Sequence, residues 1–140
     1  MLVRLLYASR AVSPMSEADL AAVLRQSRRN NPPKGITGVL CHSEGVFVQM
    51  LEGSRDVVNT LYNAVVADPR HHEVTLLDYA EISERRFAGW NMGHVNLSRL
   101  NPGLVLKYSA TARLDPYTMS SRALTALFDE LIAAGVIVCT

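Results

Sequence analysis

Two apolar runs, Ile36–His42 and Val46–Leu51, are separated only by Ser43-Glu44-Gly45. Glycine supplies the positive φ that a tight connection needs, so the two runs predict a β-hairpin. The second run, Gly45-Val46-Phe47-Val48-Gln49-Met50-Leu51-Glu52-Gly53, reads as a strand bounded by glycines. Side chains two apart on a strand share a face, so Gln49 points the same way as Phe47 and Leu51. A primary amide is thereby aimed into an apolar layer. Buried without partners it would cost roughly 1–3 kcal/mol. Another side chain, the backbone, water or a bound ligand must meet it.

The flanking segments extend the hairpin into a fold. Leu2–Ala8 is apolar on both faces, with Val3, Leu5 and Tyr7 on one side and Leu2 and Leu6 on the other, the pattern of a central strand. Ser16–Arg29 predicts a helix, with Ser16 as N-cap, Glu17 and Asp19 in the first turn, and Leu20, Val23, Leu24 and Ser27 inward. Pro32 and Pro33 are expected to end it. Ser54 caps a second helix reaching Ala67, with Val57, Val58, Leu61, Ala64 and Val65 inward. Asp68 to His72 reads as a loop, Val74–Ile82 as a fourth strand, and Trp90–Leu97 as a fifth. The resulting fold class is α+β, a ferredoxin-like βαββαββ layout: a five-stranded mixed sheet with two helices on one face. The first and third strands are expected to be neighbours, parallel and central, which brings Tyr7 and Gln49 into one layer. Ser120–Ala134, with Leu124, Leu127, Phe128 and Leu131 at helical spacing and Gly135 as stop, suits the other sheet face. The expected division is one domain over residues 1–97 and a helical extension over residues 98–140, packing on the sheet.

Composition narrows the function classes. At 140 residues, 49% hydrophobic and 19% charged, the chain is globular and large enough for a core. A net charge of +1 with scattered arginines gives no nucleic-acid footprint. Cys41 and Cys139 form no metal pattern, and no disulfide is expected. The N-terminal apolar stretch is too short for a signal peptide, and no run approaches the ~20 residues of a membrane span, so a cytoplasmic protein is expected.

From Leu2 to about Gly93 the chain resembles BLUF domains, blue-light sensors that use flavin. Five pieces carry the resemblance, in order. They are Tyr7-Ala8-Ser9; Asn31, six before Thr37 in Gly35-Ile36-Thr37-Gly38; Phe47-x-Gln49-x-Leu51-Glu52-Gly53; Asp68-x-Arg70-His71; and Arg86-Phe87-x-x-Trp90-x-Met92. Each alone is weak, and the series at family spacing is specific.

The resemblance implies a photoreceptor, not an enzyme, with FAD lying between the two helices; FMN and riboflavin are the alternatives. It implies that Tyr7 hydrogen-bonds Gln49, that Gln49 contacts the flavin, and that light drives electron and proton transfer from Tyr7 to flavin while the glutamine rearranges. Trp90 and Met92, alternating on one strand, match residues beside that glutamine, where one swings in as the other leaves, core filling being the alternative. Asn31 matches an asparagine that bonds the flavin ring, with a helix cap as the alternative role for it and for Asn30. Ser27 matches a position near the Tyr7–Gln49 pair, a small core residue being the alternative. Arg70 and His71 match residues near the ribityl-phosphate end, a solvated loop being the alternative. Arg85 and Arg86 read as a surface pair. Output is expected through a partner protein or the chain's own dimer, without direct contact to nucleic acid or membrane. The rival readings are a small ferredoxin-like enzyme of acylphosphatase or cofactor-free monooxygenase type, and a structural interaction module. Ser9-Arg10-Ala11, read as a loop after the first strand, lacks the glycine-rich anion nest that phosphate chemistry would need.

Overall fold

The computed structural model describes residues 1–138. Five strands, β1 (Leu2–Ala11), β2 (Thr37–Ser43), β3 (Val46–Ser54), β4 (His71–Ile82) and β5 (Gly93–Asn96), form one sheet in the order β4-β1-β3-β2-β5. Helices α1 (Glu17–Lys34) and α2 (Arg55–Ala67) cover one face; α3 (Pro102–Leu106) and α4 (Ser121–Ala134) belong to the later part of the chain. Among the described residues no helix is long and apolar enough to cross a membrane.

β1 and β3 are adjacent and central, but antiparallel, with Tyr7 directly opposite Gln49. The parallel arrangement expected from the sequence is corrected by the connectivity. The crossover through α1 returns β2 in the direction of β1 but one position away. The hairpin then sends β3 back through the gap, opposed to both. Only β5 against β2 is parallel, which makes the sheet mixed. Glu44 and Gly45 both have positive φ, +49° and +79°, as a two-residue primed hairpin turn requires.

The strand pleat sorts the core into two layers. Val3, Leu5, Tyr7, Leu40, Phe47, Leu51 and Met92 pack under α1 and α2 with Leu24 and Val58. Leu6, Ala8, Val48, Met50, Phe87 and Val95 pack on the other face against Leu124, Leu127, Phe128 and Leu131 of α4. The apolar stripe read in the C-terminal segment is therefore buried against the sheet, closed at Gly135 in the left-handed conformation.

α1 begins as the sequence predicts, with a capping box between Ser16 and Asp19. It does not stop at the prolines. Pro32 and Pro33 lie inside its last turn and are exposed, so the two lost N–H donors leave carbonyls that water can reach. Gly35 at φ +69° closes the helix, with its own N–H donating to Pro32 O and that of Ile36 to Asn31 O. The extra turn keeps Asn31 within α1, so neither asparagine is the cap. β1 and β4 are also longer than expected. Arg10 and Ala11 pair with His72 and His71, which turns the expected Ser9-Arg10-Ala11 and His71-His72 loops into ladder. The fifth strand starts only at Gly93, and Trp90 and Met92 therefore lie in the segment entering β5 instead of alternating along it. Cys41 is buried and free, and Cys139 lies outside the described residues.

Candidate functional site

A cleft of about 210 Å³ opens between α1 and α2 over the β1–β3 pair. Val23, Leu40, Phe47, Leu61 and Val65 give it an apolar lining between polar groups from α1 and the mouth. Into this setting β1 and β3 bring two polar groups. Tyr7 Oη donates to Gln49 Oε1 in a short, buried hydrogen bond. Gln49 Nε2 donates to Met92 Sδ at 3.2 Å. The need for partners inferred from the strand alternation is thus met by a phenol on one side and a thioether on the other. Thioether sulfur is a weak acceptor, so the amide is held firmly at its oxygen end and loosely at its nitrogen end. Burial raises the Tyr7 pKa well above its ordinary value, with Tyr62 and Asp68 adding to the effect. Tyr62 of α2 packs its ring 5.6 Å from that of Tyr7.

Asn31 is only 4% exposed and lines the cleft, and its Nδ2 reaches Asn91 O at 3.5 Å. That single long bond leaves most of the amide's capacity for a ligand edge. Asn30 also lines the cleft but is exposed. Ser27 lines it from α1. Arg70 and His71 sit at the mouth beside Asp68. Arg70 grips Asp68 at 2.6 and 3.0 Å, and that bond holds the Asp68 carboxyl down at about 2. His71 rests on Ser9 Oγ at 3.1 Å and edge-on to Phe47, and its burial lowers its pKa. Lys34, which sequence reasoning passed over, lines the same cleft on the added turn of α1.

Trp90 and Met92 end on opposite sides. Met92 is buried under the helices against Gln49, whereas Trp90 stacks on Phe87 (5.8 Å, planes 16° apart) with the layer that α4 covers. The segment leading to them is pinned at Arg86 and Phe87 by a residue to which the sequence reading gave no role. Glu52 is fully buried and accepts from Arg4 Nη2 at 2.7 Å and from the backbone N–H groups of Arg86 and Phe87 at 2.9 and 2.8 Å. Arg85 donates to Thr37 Oγ1 at 3.0 Å, and Arg86 to Asp129 of α4 at 2.7 Å. The arginine pair is accordingly part of this clamp as well as of the surface.

An apolar inter-helix slot with amides at its floor and cations at its mouth fits a planar heteroaromatic cofactor with a charged tail. A mixed α+β sheet carrying a Tyr–Gln pair beneath such a slot has the layout of a cofactor-binding module. Residues 2–93 match the family model described as sensors of blue-light using FAD, and the chain belongs to that BLUF family. The photoactivated adenylate cyclase subunit beta of Euglena gracilis is 46% identical over 84 residues, 60% of this chain and 10% of that protein. The chain thus spans about a tenth of the length of that curated relative. The solved dark-state structure of BlrB, a BLUF protein, superposes with a TM-score of 0.80 at 36% identity, covering 96% of both chains. BlsA in its photo-activated state gives 0.82 at 30% identity, covering 94% of this chain and 95% of that one.

Proposed function

We propose that the chain senses blue light through FAD held in the α1–α2 cleft, with Tyr7, Gln49 and Met92 as the switch. Asn31 and Gln49 would hold the ring edge, Ser27 and the apolar walls its face, and Arg70, His71 and Lys34 its phosphorylated tail. When bound, flavin supplies the absorption of blue light and, once excited, a strong oxidant. The remaining steps belong to the protein. A phenol gives up an electron readily only if its proton can leave, and the raised pKa keeps that proton on Tyr7 in the dark. Gln49 Oε1 is the acceptor in contact. Turning the amide over exchanges its donor and acceptor ends, and little opposes the turn at the Met92 sulfur. That makes a two-state element with small atomic displacement.

The observation that carries this reading is the Tyr7–Gln49–Met92 chain beneath the cleft. FMN in place of FAD would use the same ring contacts. We read residues 1–97 as the sensor and residues 98–140 as a non-enzymatic covering layer that passes output to a partner protein or a second copy of the chain. The protein should purify yellow and show a reversible red shift under blue light. Gln49→Leu should keep the flavin and lose the shift; a normal photocycle in that variant would sink the assignment.

A further inference from the structure

Three buried side-chain atoms among the described residues lack a hydrogen-bond partner: Arg28 Nε, His42 Nε2 and His94 Nδ1. All three residues line one cleft of about 330 Å³. It lies on the other flank of α1 from the flavin cleft, between the helix and the β2–β5 edge. Buried polar groups normally have partners, so three orphans in one place call for an explanation. The surrounding charge narrows it. Arg25 and Arg99 join Arg28 in the lining, against the single carboxylate of Glu17, which pairs with Arg99 in an exposed contact. The rings of His42 and His94 lie nearly parallel with centroids 6.0 Å apart. Burial first, then His94 and Arg99, press His42 down to about 4, and burial with Arg28 and Arg99 lowers His94. A cation would be repelled by this lining, and a neutral ligand would leave its charge unanswered. An oxyanion offers several acceptor lone pairs to a guanidinium N–H and to imidazoles that can present N–H as either tautomer.

We propose that this cleft binds a small oxyanion of the phosphate class and that the bound anion shortens the lifetime of the lit state through Arg28. Arg28 Nη2 donates to Met92 O at 3.3 Å, and Met92 Sδ is the acceptor for Gln49. An anion gripped by the Nε and Nη2 of Arg28 draws the guanidinium into the cleft and weakens its long bond to the Met92 carbonyl. The segment that must rearrange in the dark is then less restrained. This second half rests on the photosensor reading; the first does not.

The flavin-loaded protein is titrated in the dark with inorganic phosphate and, separately, with AMP, by calorimetry. Saturable binding is expected. Loss of one charge-assisted hydrogen bond should weaken it about tenfold or more in His42→Gln and Arg99→Gln. Arg25→Gln removes an exposed charge with little risk to the fold and should weaken binding as well, whereas Arg29→Gln, outside the cleft, should not. Tighter binding of phosphate marks the free anion as ligand, and tighter binding of AMP marks a phosphoryl ester; either supports the site. Absence of saturable binding by both probes, or wild-type affinity in His42→Gln and Arg99→Gln together, overturns it. Dark recovery after a blue flash should speed up about two- to tenfold at saturating anion, the worth of one hydrogen bond, and Arg28→Gln should remove that dependence. Saturable binding with unchanged recovery overturns the coupling. Failure of the red shift itself counts against the photosensor reading, while the dark titration still decides the site.

Discussion

Replacing Glu52 by glutamine exchanges one oxygen for an NH2 group and should cost about 3 kcal/mol of stability. The carboxylate has no solvent exposure and only donors around it: Arg4 Nε and Nη2 at 2.9 and 2.7 Å, Arg86 N at 2.9 and 3.0 Å, and Phe87 N at 2.8 Å. A glutamine must turn its NH2 toward one of these donors. The unmatched pair costs roughly 1–3 kcal/mol. Loss of the charge-assisted part of the Arg4 contact adds about 1 kcal/mol. The sum approaches the lower end of the about 3–5 kcal/mol typical for breaking a buried ion pair. It stays there because the Arg4 side chain is 21% exposed and water can answer part of its charge. Against a total stability of roughly 5–15 kcal/mol such a loss is large. Urea denaturation in the dark, at matched flavin loading, reads it directly as a lower midpoint at unchanged slope. The variant should also show altered dark recovery, because Glu52 pins the segment that leads to Met92. A stability change below about 1 kcal/mol would mean that the five contacts do not hold that segment, and the argument for Glu52 would fail.

Tyr7→Phe should bind flavin but lose the ordinary photocycle; a wild-type spectral shift of comparable yield would show the phenol has been misassigned. His42 gives a pH dependence with a definite sign. Its folded pKa of about 4 lies below the unfolded 6.5, so the unfolded chain binds more protons between those values and stability falls as pH drops through that window. The loss is at most about 3 kcal/mol, and less after screening by the solvent that reaches the ring. Thermal melts at pH 6.5 and 4.5 should differ less in His42→Gln than in the parent, and equal differences would refute the cause. Hydrogen exchange should differ between dark and light across residues 120–138. Identical exchange there, with changes confined to residues 85–96, would send the output through another surface.

The two-layer sheet was legible in the sequence because the third strand is apolar on both faces: Phe47, Gln49 and Leu51 face one layer, and Val46, Val48 and Met50 the other. The same alternation put Gln49 in a place where it needed partners, and Tyr7 proved to be one. Glu52 could have been found by the same logic. It is a carboxylate on an equally buried strand, and its cross-strand neighbour Arg4 is a charged residue among the apolar ones that open β1. Strand direction was misread because burial patterns carry no polarity; only the path of the connections fixes it. The reach of α1 was underestimated because proline weakens a helix only where the lost bonds stay unanswered, and that depends on exposure. The cluster of Arg28, His42 and His94 brings together residues from three different elements, α1, β2 and β5, which no local pattern announces.

The segment 85–92 is where the two sides of the sheet meet. At one end Met92 touches Gln49 and Arg28 beneath α1. At the other, Phe87 and Trp90 stack within the layer that α4 covers, and the Arg86 side chain reaches Asp129. Gly93, the first residue of β5, lies close against the C-terminal tail: a Cβ there would come within 2.7 Å of the Ile137 side chain. On the proposed photosensor reading, a displacement at Met92 would pass over two residues to groups packed on the far side. The central strands need not flex, and they would resist doing so, since both are buried and paired along nearly their whole length. The Arg86–Asp129 ion pair is too exposed to carry much energy, about 0–1 kcal/mol for such a contact. The apolar contacts of Phe87, Trp90 and Ile137 must do so instead. On that reading, a segment bound on both faces would let a small rearrangement under α1 reach α4 while leaving the Tyr7–Gln49 register intact.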